Sequence, residues 1–325
     1  MIRSDFLADI KNRSQEAEKR VREFIRYTPL DFSFYLSKKY RSNVFLKLEN
    51  IQITGSFKIR GAVNKILTLD KSQRQKGVIT ASSGNHGAAV SYISKKLSIK
   101  TVLFLPSTVS KTKIESLKIH DPDIQFFGDD CLEAEVQAKK EADQKGYTYI
   151  SPYNDPEIIA GQGTIGIELI KQLPKMDVVI VPVGGGGLIS GIAGYLKNKN
   201  SKIKIIGVQP ENSSVMYQSL KAGKILKIES KPTLSDGTAG GIEPDSLTYD
   251  LCRKYVDRFI IISENEIKEA LKLVFEKEHF LIEGAAALSV AALMKENENF
   301  VKKNVVLILS GAKLSLESLK QILIE

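Results

Sequence analysis

Short runs of valine, isoleucine and leucine alternate with helical patterns along most of this chain. The run 178–183 is apolar throughout, which indicates a strand that is buried on both faces. Because strand and helix follow each other repeatedly, the sequence predicts an α/β fold with parallel-type sheets flanked by helices. The other strand candidates are 43–48, 77–80, 101–105, 124–127, 147–150, 203–208, 258–262 and 305–309. The helix candidates are 5–27, 85–96, 131–145, 161–173, 264–278 and 284–295.

The length of 325 residues exceeds that of one typical core and predicts about two domains. The longest irregular stretch, 221–249, is rich in Gly, Ser, Thr, Pro and Asp. An irregular stretch of this length in a compact domain is more often functional than idle, so we expect a binding loop there.

Composition argues against several classes of protein. The formal net charge of +9 comes from scattered Lys and Arg, so we expect a solvated basic surface and no nucleic-acid partner. Cys131 and Cys252 lie far apart and outside any Cys/His cluster, which argues against a disulfide framework and a zinc site. We see no signal peptide and no run long enough for a membrane span, and we expect a cytoplasmic protein with no membrane partner.

One lysine stands in an unusual setting, within Thr54-Gly-Ser-Phe-Lys-Ile-Arg-Gly-Ala62. The segment follows a predicted strand and leads into a helical pattern. Lys58 would therefore lie at the start of a helix, beside Phe57. A lysine amine becomes a nucleophile when burial or neighbouring cations lower its pKa, and Arg60 is a candidate for such a cation. A plain Gly/Ser turn with two solvated cations is the alternative.

Two small-residue turns join a predicted strand to a predicted helix. The first contains Ser82, Ser83, Gly84, Asn85 and His86, and its free backbone N–H groups would suit a carboxylate. Capping of the helix by Ser or Asn is the alternative for this turn.

The second turn is a run of four glycines before a helix, and glycines let a backbone approach a phosphate closely. It lacks the Gly-Lys-Ser/Thr of a Walker loop and the acidic partner of a dinucleotide fold. It consists of Gly184, Gly185, Gly186, Gly187 and then Leu188.

In this order, and with Gly161-Gln-Gly-Thr164 and Ser310-Gly311, these segments resemble the fold-type II pyridoxal-phosphate (PLP) enzymes. That family contains threonine and serine dehydratases and serine racemase, and its fold is tryptophan synthase β-like. The resemblance implies a large domain of residues 1–55 and 150–325 and a small inserted domain of residues 56–149. It further implies a PLP cofactor, an amino-acid substrate and a homodimer or higher homo-oligomer.

The resemblance also implies roles for individual residues. Lys58 would form the Schiff base with PLP and act as general base, and Phe57 would wedge the cofactor. Asn85 would bind the ring hydroxyl, residues 184–188 the phosphate, and Ser310 the pyridine nitrogen. The turn 82–86 would hold the substrate carboxylate, with Asn85 serving both ligands.

The activity that this resemblance implies is loss of water from a small β-hydroxy amino acid, L-threonine or L-serine, giving a 2-oxo acid and ammonia. A hydroxyl partner such as Ser310 would leave the pyridine nitrogen less protonated than a carboxylate would, which favours prompt loss of the β-hydroxyl over a long-lived carbanion. The chain ends soon after Lys313, without the C-terminal extension of the biosynthetic threonine dehydratases, so we expect a role in amino-acid catabolism.

The chain departs from the family pattern at several positions. Gln209 and Val215 stand where serine racemases have acidic metal ligands, so we expect no metal site. Ser83 matches the acid/base serine of racemases, which keeps serine racemase open as an alternative, along with dehydration of another substrate such as 3-hydroxyaspartate. Lys313 is either a surface lysine or a cation near the cofactor, and Glu283 is either a helix N-terminal carboxylate or an acid near the Schiff base.

Overall fold

The structure is a computed structural model that describes residues 2–324. Within these residues the chain forms ten strands and fourteen α-helices. The strands are β1 (Leu30–Phe32), β2 (Asn43–Leu48), β3 (Val78–Ala81), β4 (Thr101–Leu105), β5 (Asp123–Phe126), β6 (Thr148–Tyr149), β7 (Val178–Pro182), β8 (Lys204–Pro210), β9 (Arg258–Ile262) and β10 (Asn304–Leu309). The helices are α1 (Ile2–Val21), α2 (Phe34–Tyr40), α3 (Lys58–Leu67), α4 (Lys71–Lys76), α5 (Asn85–Lys96), α6 (Lys111–Lys118), α7 (Cys131–Lys145), α8 (Pro156–Gln172), α9 (Gly187–Lys199), α10 (Val215–Ala222), α11 (Leu247–Tyr255), α12 (Glu264–Leu273), α13 (Gly284–Lys295) and α14 (Leu316–Ile324).

The larger sheet has six strands in the order β1-β2-β10-β7-β8-β9. All its neighbours pair in parallel except β1, which runs antiparallel to β2 at one edge. The parallel pairing of β2 with β10 joins two segments that are more than 250 residues apart, with Leu48 opposite Leu309. Ligands of such sheets bind beyond the carboxyl ends of the strands. The segments that follow β2, β7 and β10 therefore meet at one edge.

The smaller sheet has four parallel strands in the order β5-β4-β3-β6. Residues 78–149 supply all of them, whereas the larger sheet takes its strands from residues 30–48 and 178–309. The domain boundaries implied by the resemblance, residues 56–149 against residues 1–55 and 150–325, stay a prediction. The α/β class with parallel, helix-covered sheets is confirmed.

Helix α8 packs closely against α3 and α9 because its glycines have no side chains. A Cβ on Gly161 would lie 2.6 Å from the backbone oxygen of Arg60, and one on Gly163 would lie 2.1 Å from Ser14 Oγ. On α9, a Cβ on Gly191 would lie 2.4 Å from the backbone oxygen of Ile159. The Gly161–Thr164 motif therefore brings helix backbones into contact, a packing function.

A fully buried ion cluster joins the end of β2, the start of α3 and the middle of α8. The Arg60 guanidinium donates to Glu49 at 2.7 Å and to Glu168 at 2.7 Å. The Lys47 ammonium donates to Glu168 at 2.5 Å, and Thr28 Oγ1 donates to Glu49 at 2.6 Å. Because each buried charge has an opposite partner, the cluster avoids the cost of isolated buried ions and fixes the start of α3.

Several element boundaries differ from the sequence prediction. The first helix ends at Val21, not near Tyr27, and the short edge strand β1 was missed. Helix α8 begins five residues before the predicted start, because Asp155 caps it by accepting from the N–H groups of Glu157 and Ile158. The predicted helix 264–278 is α-helical only to Leu273 and continues as a π-helical turn over Val274–Glu278.

The two cysteines are free thiols, Cys131 exposed and Cys252 buried. Burial raises the pKa of the Cys252 thiol to about 12, so this thiol stays protonated near neutral pH.

In the described range 2–324, no helix combines the length and the apolar character needed to cross a membrane.

Candidate active site

The segment that carries Lys58 lies beside the segment that follows β10. Ser56 and Gly311 form an antiparallel bridge, Phe57 N donates to the Ser310 oxygen at 3.1 Å, and Ala312 N donates to the Gly55 oxygen at 2.9 Å. These contacts follow from the pairing of β2 with β10. They bring together two predicted site residues, Lys58 and Ser310, that are about 250 positions apart in the sequence.

The Lys58 amine is partly buried at the first turn of α3. Its Nζ donates to the Pro152 oxygen at 2.8 Å and lies 5.3 Å from the centre of the Phe57 ring. Burial lowers the pKa of Lys58 to about 8, against the opposing pull of the Glu283 carboxylate. A substantial fraction of this amine is therefore uncharged near pH 8, as a nucleophile requires.

The sequence analysis named Arg60 as a candidate for the cation that lowers the pKa of Lys58. The contacts of Arg60 give it a different function. The guanidinium is held by Glu49 and Glu168 in the buried ion cluster. Both carboxylates raise the pKa of Arg60 further, against the effect of burial. Burial therefore lowers the pKa of the Lys58 amine, whereas Arg60 anchors the helix that carries Lys58.

The glycine loop has no room for side chains. A Cβ on Gly185 would lie 2.5 Å from the Tyr153 ring, and one on Gly184 would lie 2.9 Å from the Thr238 Cα. Gly186 has a φ of 88°, in the left-handed region that glycine adopts without strain. Thr238 lies in the predicted binding loop 221–249, whereas Tyr153 was missed, because no motif surrounds it in the sequence.

The backbone N–H groups of the glycine loop remain free for a ligand. Thr248 Oγ1 donates to the Gly185 oxygen at 2.6 Å, which helps to fix the loop. Among residues 2–324, no group accepts a hydrogen bond from the backbone N–H groups of residues 184–188. Because these groups lie at the N-terminus of α9, the loop can bind a phosphate.

The turn 82–87 places a second set of free N–H groups at the start of α5. A Cβ on Gly87 would lie 2.1 Å from the Ser82 oxygen, so the turn needs glycine there. Ser82 Oγ accepts from the Gly84 N–H at 3.3 Å. No acceptor within the described chain pairs with the N–H groups of residues 83 and 85–87, which suits an anion.

The His86 ring is neutral and is held by a hydrogen bond to the protein backbone. It is buried, and its Nε2 donates to the Ile150 oxygen at 3.0 Å. Burial and the charge of Lys58 lower the pKa of His86 to about 3, so the ring is neutral at any physiological pH. Of the predicted carboxylate contacts, His86 therefore offers its backbone N–H alone. The Ser83 hydroxyl is partly exposed and makes no hydrogen bond to the rest of the described chain.

Two buried polar atoms of predicted site residues have no partner among residues 2–324: Ser310 Oγ and Asn85 Oδ1. An unpaired buried polar atom costs about 1–3 kcal/mol. Such atoms are expected where a ligand completes the hydrogen bonding.

The alternatives for Glu283 and Lys313 are resolved by their contacts. Glu283 precedes α13 but makes no side-chain cap bond; its carboxylate instead accepts from Asn85 Nδ2 at 2.8 Å. Lys313 is not a surface lysine, because its Nζ reaches the Gly84 oxygen at 3.4 Å and burial lowers its pKa. Both residues belong to the site.

The long irregular stretch closes over the glycine loop and reaches the part of the chain with the smaller sheet. Glu243 N donates to the Tyr153 hydroxyl at 2.8 Å, and its carboxylate accepts from Lys139 at 2.9 Å. Lys113 of α6 lies 3.7 Å from Asp236. The predicted binding loop therefore covers one side of the site.

Gln209 and Val215, the two positions for which the resemblance implied the loss of metal ligands, lie inside the protein. Gln209 Oε1 accepts from the Tyr217 N–H at 2.8 Å, and Val215 is buried. In the part of the chain that the structure describes, no three His, Cys, Asp or Glu side chains are grouped to hold a metal ion.

These elements define a class of protein. The chain matches the model of the pyridoxal-phosphate dependent enzymes over residues 21–311, and it belongs to that family. It is 39% identical to the L-threonine ammonia-lyase of Thermotoga maritima over 318 residues. This alignment covers 98% of this chain and 78% of that protein. Its structure matches the processed form of threonine deaminase isoform 2 from Solanum lycopersicum, with a TM-score of 0.93, 32% identity and coverage of 98% and 93%. It also matches maize serine racemase, with a TM-score of 0.90, 33% identity and coverage of 96% and 95%.

The residues present fit the family's cofactor. The glycine loop offers N–H donors for a phosphate, the unpaired Ser310 hydroxyl and Asn85 amide oxygen suit polar atoms of a ring, and Lys58 supplies an amine of lowered pKa. The cofactor prediction made from the sequence is confirmed by the family.

Proposed function

We propose that this enzyme removes water from L-threonine or L-serine and releases a 2-oxo acid and ammonia. The observation that carries the proposal is the meeting of Lys58 with Ser310 beyond β10 of the larger sheet, and the contact of Asn85, which follows β3 of the smaller sheet, with Glu283. The similarity to a threonine ammonia-lyase and to a threonine deaminase supports this choice of reaction.

The residues divide the work between cofactor and substrate. Residues 184–188 would bind the phosphate and Ser310 and Asn85 would contact the ring. Phe57 would pack beside the ring, and Lys58 would hold the cofactor through Nζ. When bound, pyridoxal phosphate withdraws the electrons left on Cα as the proton is removed. The free N–H groups of the turn 82–87 bind the substrate carboxylate and orient Cα.

Lys58 is the general base of this proposal. Because its pKa is lowered to about 8, a substantial fraction of the free amine is uncharged near that pH, and the amine could accept the Cα proton of a bound substrate. The loop that carries Asp236 and Glu243 lies over the site and limits the entry of water. In the overall balance the Cα proton and the β-hydroxyl would leave as water, and the unsaturated amine that remains would take up water and give the 2-oxo acid and ammonia.

Serine racemisation is the second candidate, because Ser83 has a hydroxyl with no partner in the described chain. A hydroxyl that faces the substrate can exchange a proton with Cα opposite the lysine. The structural likeness to maize serine racemase supports keeping this activity in the test.

We also propose a homodimer or higher homo-oligomer in the cytoplasm. The oligomer rests on the family resemblance, and the cellular location rests on the sequence expectations above.

The test measures 2-oxo acid release from L-threonine, L-serine and threo-3-hydroxyaspartate, together with chiral chromatography of the remaining serine. We expect release from threonine or serine, and none with Lys58→Ala. Interconversion of the serine enantiomers without 2-oxo acid would establish the racemase instead. Release from 3-hydroxyaspartate alone would name a different substrate.

A further inference from the structure

The Lys313 side chain reaches from the segment after β10 to the turn before α5. Its Nζ lies 3.4 Å from the Gly84 oxygen. The segment that carries it is fixed on two sides: the backbone N–H of Lys313 donates to Glu283 at 3.3 Å, and that of Ala312 donates to the Gly55 oxygen at 2.9 Å. Lys313 therefore connects a segment that follows the larger sheet to the turn that follows β3 of the smaller sheet.

The ammonium of Lys313 has more donors than partners. It carries three N–H groups, and the acceptor that it reaches among residues 2–324 is the Gly84 oxygen. Burial lowers the pKa of Lys313, the Glu283 carboxylate opposes this effect, and the charge of Lys113 adds to it. A half-buried cation with one long hydrogen bond is costly to the fold, which indicates that its charge serves a ligand.

The Gly84 oxygen belongs to the same peptide group as the Asn85 N–H, one of the free donors of the turn 82–87. This peptide bond is trans, and a trans peptide group points its oxygen and its N–H in opposite directions. The oxygen also accepts from the Ala88 N–H at 3.2 Å, so it points into α5. The Asn85 N–H therefore points away from Lys313, out of the start of the helix.

We infer that Lys313 is a positioning residue that strengthens binding of the substrate carboxylate through the peptide group between Gly84 and Asn85. The inference rests on the proposed function, which assigns the carboxylate to the turn 82–87. A cation at the Gly84 oxygen polarises the peptide group and makes its N–H a stronger donor. The charge of Lys313 also adds to the attraction of the helix N-terminus for an anion.

The turn 82–87 has no positive side chain of its own. Burial and the charge of Lys58 lower the pKa of His86 to about 3, so its ring stays neutral. Lys58 is assigned to the cofactor, and Lys113 lies beside Asp236 of the covering loop. Within the described chain, Lys313 is the cation that forms a hydrogen bond to the turn.

The experiment compares how L-alanine and L-alaninamide bind to the holoenzyme. Both have the α-amine and neither has a β-hydroxyl to lose, but alaninamide lacks the charged carboxylate. Titration followed by visible absorption gives the two dissociation constants. We expect Lys313→Met to raise the dissociation constant of L-alanine by about tenfold, the loss of one interaction with a charged group. The constant of L-alaninamide should change by less than about twofold, because it brings no anion to the turn.

Three further variants separate the charge from the shape of the side chain. Lys313→Arg keeps the charge and should keep most of the preference for L-alanine over L-alaninamide. Lys313→Gln keeps a donor for the Gly84 oxygen but removes the charge, and it should lose most of this preference. Lys320→Met, at an exposed position of α14, should alter neither constant.

Two other measurements distinguish the substrate from the cofactor. The dissociation constant of PLP should be unchanged in Lys313→Met, since the lysine acts on the turn 82–87. With L-threonine, Lys313→Met should raise KM and leave kcat nearly unchanged, the pattern of an interaction that is equally strong in the ground state and the transition state.

An unchanged ratio of the two dissociation constants in Lys313→Met would overturn the inference. An equal rise of both constants, or weaker binding of PLP, would overturn it as well, because the lysine would then act on the fold or on the cofactor. If Lys313→Met fails to fold, the same ratio in Lys313→Gln decides. The titrations contain no β-hydroxy amino acid, so a preference for L-alanine that is lost in the variant, without 2-oxo acid release by the wild type, would reject the proposed reaction and leave the inference standing.

Discussion

At the scale of single residues, the chemistry of the site is set by burial. Lys58 is depressed to a pKa of about 8 and Glu283 is raised to about 7, in each case mainly because the charged form loses water. The sequence predicted a role for Lys58 and gave burial or a neighbouring cation such as Arg60 as what could lower its pKa. Burial lowers the pKa of Lys58, whereas Arg60 pairs with Glu49 and with Glu168, and a partner 108 residues away is not visible in a local pattern.

Ser83 offers a test at this scale. Ser83→Ala removes the hydroxyl and keeps the backbone N–H groups of the turn. If Ser83 transfers a proton to Cα, the ratio of serine racemisation to dehydration should fall by about 100-fold or more, the usual contribution of a general acid or base. Both rates are measured on one sample by chiral chromatography and 2-oxo acid release. An unchanged ratio would exclude Ser83 as the acid.

At the scale of elements, the glycines of the loop 184–187 are needed for two reasons. Neighbouring residues leave no room for a Cβ at these positions, and the free backbone N–H groups of the loop suit a phosphate. The sequence predicted the loop from its glycines and from its place between a strand and a helix. It did not show that Tyr153 and Thr238 press against the loop from outside, since these contacts depend on the tertiary fold. The missed strand β1 has a similar cause: it has three residues and pairs only at a sheet edge.

Gly185→Ala tests the packing of this loop. The new Cβ would lie 2.5 Å from the Tyr153 ring, and forcing extra volume into a packed site costs about 1–3 kcal/mol. We expect the dissociation constant of PLP to rise by about tenfold or more, since the loop must shift. Titration of the apoprotein with PLP, followed by absorbance, measures it.

Gly241→Ala is the matched control, because no atom lies within 4 Å of its Cβ position and its φ is not in the left-handed region. Equal PLP affinities of the two variants would contradict the assignment of the phosphate to the glycine loop.

At the scale of the whole molecule, the site exists because distant parts of the chain meet. The pairing of β2 with β10 brings Lys58 to Ser310, and the covering loop joins the part with the smaller sheet through Lys139 and Glu243. The alternation of strands and helices was enough to predict the α/β class, and the motifs were enough to predict the family. The sequence did not reveal the strand order or the buried ion cluster, because each includes contacts between distant segments, such as β2 with β10 and Arg60 with Glu168.

Arg60→Met tests the buried ion cluster as a support for the whole fold. The change leaves Glu49 without its cation and Glu168 with fewer partners, and breaking a buried pair costs about 3–5 kcal/mol. We expect a lower midpoint of urea denaturation. In Arg41→Met, which loses an exposed pair with Glu298, stability should change by about 1 kcal/mol or less. Equal effects of the two variants would show that the cluster does not support the fold.

The central claim is that Lys58 holds the cofactor. Reduction of the purified holoenzyme with borohydride, followed by peptide mass spectrometry, tests it most directly, because the reduction fixes PLP to the lysine that carries it. We predict a single phosphopyridoxyl label, on Lys58. A label on another lysine, or a yellow protein with no label on Lys58, would contradict the account.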